Sequence, residues 1–168
     1  MALYSKKIIE HFKNPRNVGK IKNPSGIGEA GNIQCGDLMR LYIKIGKNKK
    51  GEDIIEDIKF ETMGCIVAIA NTSLLTTMVK GKKLEDALKI KKEDLIKRLG
   101  KPLPPFKIHC SVLALDALKE AIYDYYKKRK IKIPNELEKE HKRIIKIKEE
   151  ISKRYKNFQN LERKILEE

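Results

Sequence analysis

Three cysteines, Cys35, Cys65 and Cys110, are spread through a chain of 168 residues. An odd number at wide intervals makes no disulfide framework. It leaves core packing, metal ligation or nucleophilic chemistry as uses for each thiol. Each cysteine stands where the pattern of the chain changes. Cys35 lies in "NIQCGDLM", where a glycine-rich stretch meets an alternating segment. Cys65 lies in "TMGCIVA", where a second alternating segment gives way to a helical period. Cys110, in "LPPFKIHCS", opens a long helical pattern. Three junctions of one small domain can converge at one end of it. Asp37 follows Cys35 by two residues, so in extended chain both side chains share a face. His109 directly precedes Cys110. The candidate constellation is therefore Cys35, Asp37, Cys65, His109 and Cys110.

Thiolates hold soft or borderline metals, and three thiolates with one carboxylate or imidazole complete a four-coordinate site for zinc or iron–sulfur iron. Asp37 is a harder ligand than a fourth thiolate, a composition suited to release rather than storage. A helix N-terminus at Cys110, with Lys107 and a protonated His109 beside it, predicts a depressed thiol pKa there. A solitary cytosolic cysteine is usually a small core residue. Three at junctions, one beside a histidine and one near an aspartate, favour ligation. No CxxC pair is present, which sets the pattern apart from a zinc knuckle. His11 and His141 read as surface residues.

The elements that must position these residues follow from periodicity. "SKKIIEHF" has helical spacing and is ended by Pro15 and Gly19. Residues 20–36 read as loop with at most a short strand. "MRLYIKI" alternates, placing Met39, Leu41, Ile43 and Ile45 on one face. "IIEDIKFETMG" alternates through Ile54, Ile58 and Phe60, and the Gly-containing turn between the two predicts an antiparallel hairpin. "CIVAIANTSLLTTMVKG" is helical with Gly81 as its stop, "LEDALKI" and "KEDLIKRL" are short helices, and a long helix runs on from Cys110. The fold class is α+β: a small antiparallel sheet of about three strands with helices packed on one face. Residues 1–130 form this domain, and 131–168 a basic helical extension. In that extension Leu137, His141, Ile144, Ile151, Tyr155, Phe158 and Ile165 fit a 3/4 spacing that Lys148 and Glu162 interrupt. Such a helix either docks on its own domain or pairs with a second copy.

Composition bounds the function. Apolar residues make up 40% and charged residues 36%, with a formal net charge of +15. Such a balance favours acidic partners or a solvated lysine-rich surface. Residues 127–168 carry 15 Lys/Arg against 8 Asp/Glu. The two signs are interspersed and no aromatic stacking platform accompanies them, which argues against a nucleic-acid module. No apolar run nears the roughly 18 residues of a membrane span, and "MALYSKKIIEHF" lacks a signal-peptide core. The expected location is cytoplasmic.

"YSKKIIEHFKNPRNVG", "CGDLMRLYIKI", "IEDIKFETMGC", "AIANTSLLTTMVKGKKLEDAL" and "LPPFKIHCSVLALDALKEAIYDYYKKR" resemble, in order, the IscU and NifU N-terminal-domain family of iron–sulfur scaffolds, from about Tyr4 to Arg129. The resemblance implies assembly of a 2Fe–2S cluster from iron and desulfurase-derived sulfur, with transfer to apo-proteins, by a scaffold and not a turnover enzyme. It implies Cys35, Cys65 and Cys110 as cluster cysteines, Asp37 as the aspartate of the CGD motif, and His109 as the histidine before the last cysteine. It makes Cys110 the persulfide acceptor and Lys107 a supporting residue. Leu103, Pro104, Pro105, Phe106 and Lys107 match the chaperone-recognition strip, with Phe106 where relatives carry Val, and read as a stiff, exposed segment. Implied partners are a cysteine desulfurase, apo iron–sulfur proteins, a heat-shock chaperone with its co-chaperone, a ferredoxin and a frataxin-like protein. Ile66 and Val67 depart from the small residues usual after the second cysteine. No cysteine follows Cys110, so the further cluster domain of full-length NifU is not in this chain. The histidine before Cys110 and the short interval from Cys65 favour the IscU type over the sulfur-transfer SufU type. The alternative is a protein that binds zinc at rest and relays persulfide sulfur.

Overall fold

The computed structural model describes residues 4–32, 36–100, 103–104 and 107–167, with side chains as far as residue 157. The chain opens with helix α1 (Lys6–Lys13). Its cap, Ser5, accepts the Ile8 amide at 3.2 Å and donates to the Leu99 carbonyl, tying the first helix to a distant loop. Strands β1 (Gly26–Gly31), β2 (Leu38–Lys47) and β3 (Asp53–Met63) then form one antiparallel sheet in the order β1-β2-β3. Helices α2 (Ile66–Val79), α3 (Leu84–Leu88), α4 (Lys92–Arg98), α5 (His109–Lys128) and α6 (Asn135–Glu167) follow. The α+β architecture is as expected: α5 lies along β1 and across β2, and α2 packs beside it against α1.

Alternation placed the core of β2 correctly. Met39, Leu41 and Ile43 are buried, opposite Thr62, Phe60 and Ile58. It failed at one end of β3. Lys44 pairs with Asp57 and Ile45 with Ile55, so Glu56 is an extra residue in β3 and the ladder shifts there. A bulge of this kind reverses the inward face. Ile55 is consequently buried and Ile54 only half-buried, contrary to strict alternation.

The segment read as loop with a short strand contains β1. Its burial alternates, but its inward positions are Gly26, Gly28 and Ala30. A period carried by glycine is invisible to hydropathy. The glycines are there because α5 is close: a Cβ built on Gly28 would lie 1.9 Å from the Ala117 carbonyl oxygen, and one on Gly26 would lie 2.2 Å from that of Ala121.

Helix α6 docks on its own domain. Leu137, Ile144 and Ile151, seven apart, are buried against it. Lys148 does not merely interrupt this seam; its ammonium meets Glu29 on β1 at 3.1 Å. His141 is no surface residue: its ring stacks on Tyr123 at 3.7 Å and its Nδ1 lies 2.9 Å from the Glu120 carboxylate. Arg143 donates to buried Asp116 at 2.6 Å. Burial pushes the Asp116 and Glu120 carboxyls up, and their α6 partners partly oppose that. His11 also faces inward, its Nδ1 2.8 Å from the Ser73 hydroxyl. Among the described residues no helix is long and apolar enough to cross a membrane.

A candidate metal centre where three junctions meet

One end of the sheet gathers the chemistry. β1 and β2 pair as far as Gly31 and Leu38. On the approach to β2, Gly36 turns in the left-handed region at φ +71°. Such a turn costs glycine little and β-carbon residues more. Beyond it the Asp37 carbonyl accepts the Asn32 amide at 3.0 Å, and the Asn32 carbonyl accepts the Gly36 amide at 3.0 Å. These bonds hold Asp37 at the site, where its side chain is buried. Cys65 arrives from β3 as the cap of α2, with extended backbone. Cys110 is the second residue of α5, and its side chain has no exposure.

The Cys65 and Cys110 sulfurs are 3.5 Å apart, and the Cys110 thiol lies 3.9 Å from Asp37 Oδ2. Ligand atoms of Asp37, Cys65 and Cys110 all lie within 4.8 Å of one another, close enough for a single ion to touch all three. Gly64 permits this closeness. A Cβ there would lie 3.3 Å from Asp37 Cγ and 3.1 Å from both Ala68 Cβ and Thr62 Oγ1. Cys35 lies outside the described residues, as do Pro105 and Phe106 of the proline strip. His109 is not in the 4.8 Å group, yet its Nε2 is buried without a hydrogen-bond partner. A buried imidazole nitrogen left unpaired is unusual and suits a residue that completes its contacts when the site is filled. Two thiols and a carboxylate, with that imidazole at hand, are a donor set for thiophilic iron or zinc.

The electrostatics favour a thiolate at Cys65, where the sequence pattern had raised no such expectation. The Cys65 thiol is lowered from 9.0 to about 6. The first cause is the hydrogen bond from Cys110; burial opposes it, and the Ala68 and Val67 amides support it. Both amides belong to the first turn of α2, so the N-terminus of that helix favours the Cys65 thiolate. The Asp37 charge works the other way and disfavours the thiolate. Lys107 lies near enough that the Cys65 charge, and then the Cys110 charge, hold its ammonium above the ordinary lysine range.

A pH prediction follows from these causes. Alkylation of Cys65 in the metal-free protein, followed site by site by mass spectrometry, should show a midpoint near 6. Labelling slows as pH falls below that value, because the neutral thiol returns. In Cys110→Ala, which leaves no donor at that position, the midpoint should rise toward the ordinary thiol range. An unshifted midpoint in that variant would remove Cys110 as the stabilising donor.

Leu103 corrects the picture of an exposed strip. Its side chain is buried in the core, and Pro104 is half-buried. Lys107 is half-buried beside the site.

The NifU-like N terminal domain family matches residues 3–132. The chain belongs to this family. It is 51% identical over 147 residues to the iron-sulfur cluster assembly scaffold protein IscU 1 of Archaeoglobus fulgidus, covering 83% of this chain and 92% of that protein. It is 51% identical over 132 residues to the scaffold protein IscU of Escherichia coli K12, covering 77% and 98%. The N-terminal NifU-like protein of Brucella abortus shares the fold at a TM-score of 0.57 with 19% identity, covering 75% of this chain and 96% of that one. The family region thus contains Cys35, Asp37, Cys65, His109 and Cys110, and ends before α6 begins at Asn135.

Proposed function

We propose that this protein is a scaffold on which a 2Fe–2S cluster is assembled from iron and desulfurase-derived sulfur, and from which the cluster passes to apo-proteins. The observation that carries the reading is the convergence of Asp37, Cys65 and Cys110 within 4.8 Å. The cluster is cargo. Cys35, Cys65 and Cys110 would hold it as thiolates, with Asp37 as the hard, labile ligand and His109 as the alternative fourth donor. The protein binds and releases its cargo and turns over no substrate of its own.

Sulfur arrives by thiol–disulfide chemistry. A scaffold thiolate attacks the terminal sulfur of the donor's persulfide. The donor S–S bond breaks, a new S–S bond forms on the scaffold, and the donor cysteine leaves as thiolate. Cys110 is the proposed acceptor. Because it is fully buried behind half-exposed Cys65, the wall at Cys65 must move for the donor to reach it. Lys107 stabilises the anionic sulfur. A ferredoxin-type reductant supplies the electrons that convert bound sulfur to sulfide. A chaperone that grips Leu103–Lys107 would draw Leu103 out of the core and so disturb the segment leading to His109 and Cys110. The expected setting is the cytoplasm, with a desulfurase and a frataxin-like protein as assembly partners.

Anaerobic reconstitution with ferrous iron, sulfide and thiol should give a visible cluster chromophore. Zinc without iron in natively purified protein, together with no chromophore, would replace this reading by the persulfide relay. Asp37→Ala should lengthen the half-life of the cluster in air by about threefold or more, because it removes the harder ligand and the charge that disfavours the Cys65 thiolate. A shorter-lived cluster in that variant would remove Asp37 as the release element.

A further inference from the structure

We infer that α6 is a clamp on the β1–β2 connection, and that Ile151 and Tyr155 are positioning residues for the Asp37 arm of the site. The inference rests on the scaffold reading for its functional consequence only. Two residues one helical turn apart reach the two ends of this connection. Ile151 Cδ1 stands over Gly31, where a Cβ would come within 2.6 Å of it. The Tyr155 hydroxyl stands over Gly36, where a Cβ would lie 3.7 Å away. Gly31 is the last paired residue of β1, and Gly36 directly precedes Asp37. Residues at i and i+4 share a helix face, so one face of α6 overlies both ends.

The part of α6 that leads to this face is anchored on the domain. Buried Leu137, Ile144 and Ile151 recur every seven residues. Offset by four, His141, Lys148 and Tyr155 meet Glu120, Glu29 and the Gly36 turn in succession. Arg143 adds its bond to Asp116. Beyond Ile151 the helix stands off the sheet, leaving a groove of about 480 Å³ walled by Ile151 and Tyr155 on one side and Leu38 and Met63 on the other. The tips of Ile151 and Tyr155 are therefore the parts of α6 that lie over the two ends of the connection, Ile151 buried and Tyr155 with half its surface exposed. Asp37 is held by its own backbone bond to Asn32, by the adjoining Gly36–Asn32 bond and by the packing of α6 over this turn. Loosening the clamp should let the Asp37 arm open while the sheet stays intact.

The test is amide hydrogen exchange on the full-length apo-protein, for Tyr155→Ala and Ile151→Ala/Tyr155→Ala. The hydrogen-bonded amides of Asn32 and Gly36 should exchange about tenfold faster in the double variant. Amides of the β2–β3 ladder should stay within about twofold of wild type. Lys153→Ala, exposed on the same helix, should match wild type throughout. Unchanged exchange at Asn32 and Gly36 would overturn the clamp. So would a uniform rise across the sheet, which would mean general destabilisation. In reconstituted protein the cluster half-life should lengthen in the double variant, as in Asp37→Ala, because the harder ligand is held less firmly at the site; a shortened half-life would overturn the positioning role. Failure of wild type itself to take up cluster would count against the scaffold reading, and the exchange result would still decide the clamp.

Discussion

Cys65→Ser/Cys110→Ser is expected to take up less than about a tenth of the iron and sulfide that wild type binds, because serine is a hard, un-ionised donor at neutral pH. The two sulfurs are 3.5 Å apart at the starts of two different helices, and losing both removes two of the three proposed thiolate ligands. The fold should survive. Serine is nearly isosteric, and at position 110 its hydroxyl would sit close to the Asp37 carboxylate, which can accept from it. The cost of the buried hydroxyls is on the order of 1 kcal/mol each. Circular dichroism and a thermal melt alongside the iron and sulfide assays separate lost ligation from lost fold. A folded double variant that reconstitutes like wild type would remove this pair from the site.

Gly28→Ala should damage the fold more than any surface change. The added Cβ would lie 1.9 Å from the Ala117 carbonyl oxygen and 2.3 Å from the Ala121 amide nitrogen. Both obstacles are main chain in the middle of α5, so no rotamer change relieves the clash. Either α5 lifts from β1, which opens the core along Ala117, Leu118 and Ala121, or β1 leaves the sheet. The cost should be about 3 kcal/mol or more, against a typical total stability of about 5–15 kcal/mol. Gly46→Ala is the contrast. Its Cβ would meet only the Glu56 side chain, at 3.1 Å, and that side chain can move. It should shift stability by well under 1 kcal/mol. Urea midpoints measure both, and a Gly28→Ala midpoint equal to that of Gly46→Ala would show that α5 and β1 separate at little cost. The damage should reach the site as well, because α5 carries Cys110 at its second position.

Much of the fold is local in origin and so could be read in one dimension. The alternation of Met39, Leu41 and Ile43 and the helical period after Cys65 are short-range patterns. Each records which face of an element is apolar. The candidate ligands were legible for a similar reason, since thiols, an aspartate two residues on and a histidine next door are chemical types that need no geometry to be noticed. Where two backbones meet, the pattern fails. β1 was legible only as a short strand within a loop because two of its inward positions are glycines that accommodate α5, and Ile55 displaced Ile54 because a bulge opposite Lys44 reversed the inward face.

The sequence by itself determined an α+β chain with three junction cysteines, an aspartate and a histidine of metal-binding type, and a long amphipathic helix after Pro134. Tertiary structure alone decided how these act together. It brought Asp37, Cys65 and Cys110 within 4.8 Å, and it lowered the Cys65 thiol by setting Cys110 and the first amides of α2 beside it. It also sank Leu103 into the core and buried Asp116 and Glu120 against Arg143 and His141. Finally, it laid Tyr155 over Gly36, more than a hundred residues away in the chain. Periodicity reports the face an element will bury. Charge, proton position and ligand geometry depend on distances between elements, and those exist only once the elements have packed.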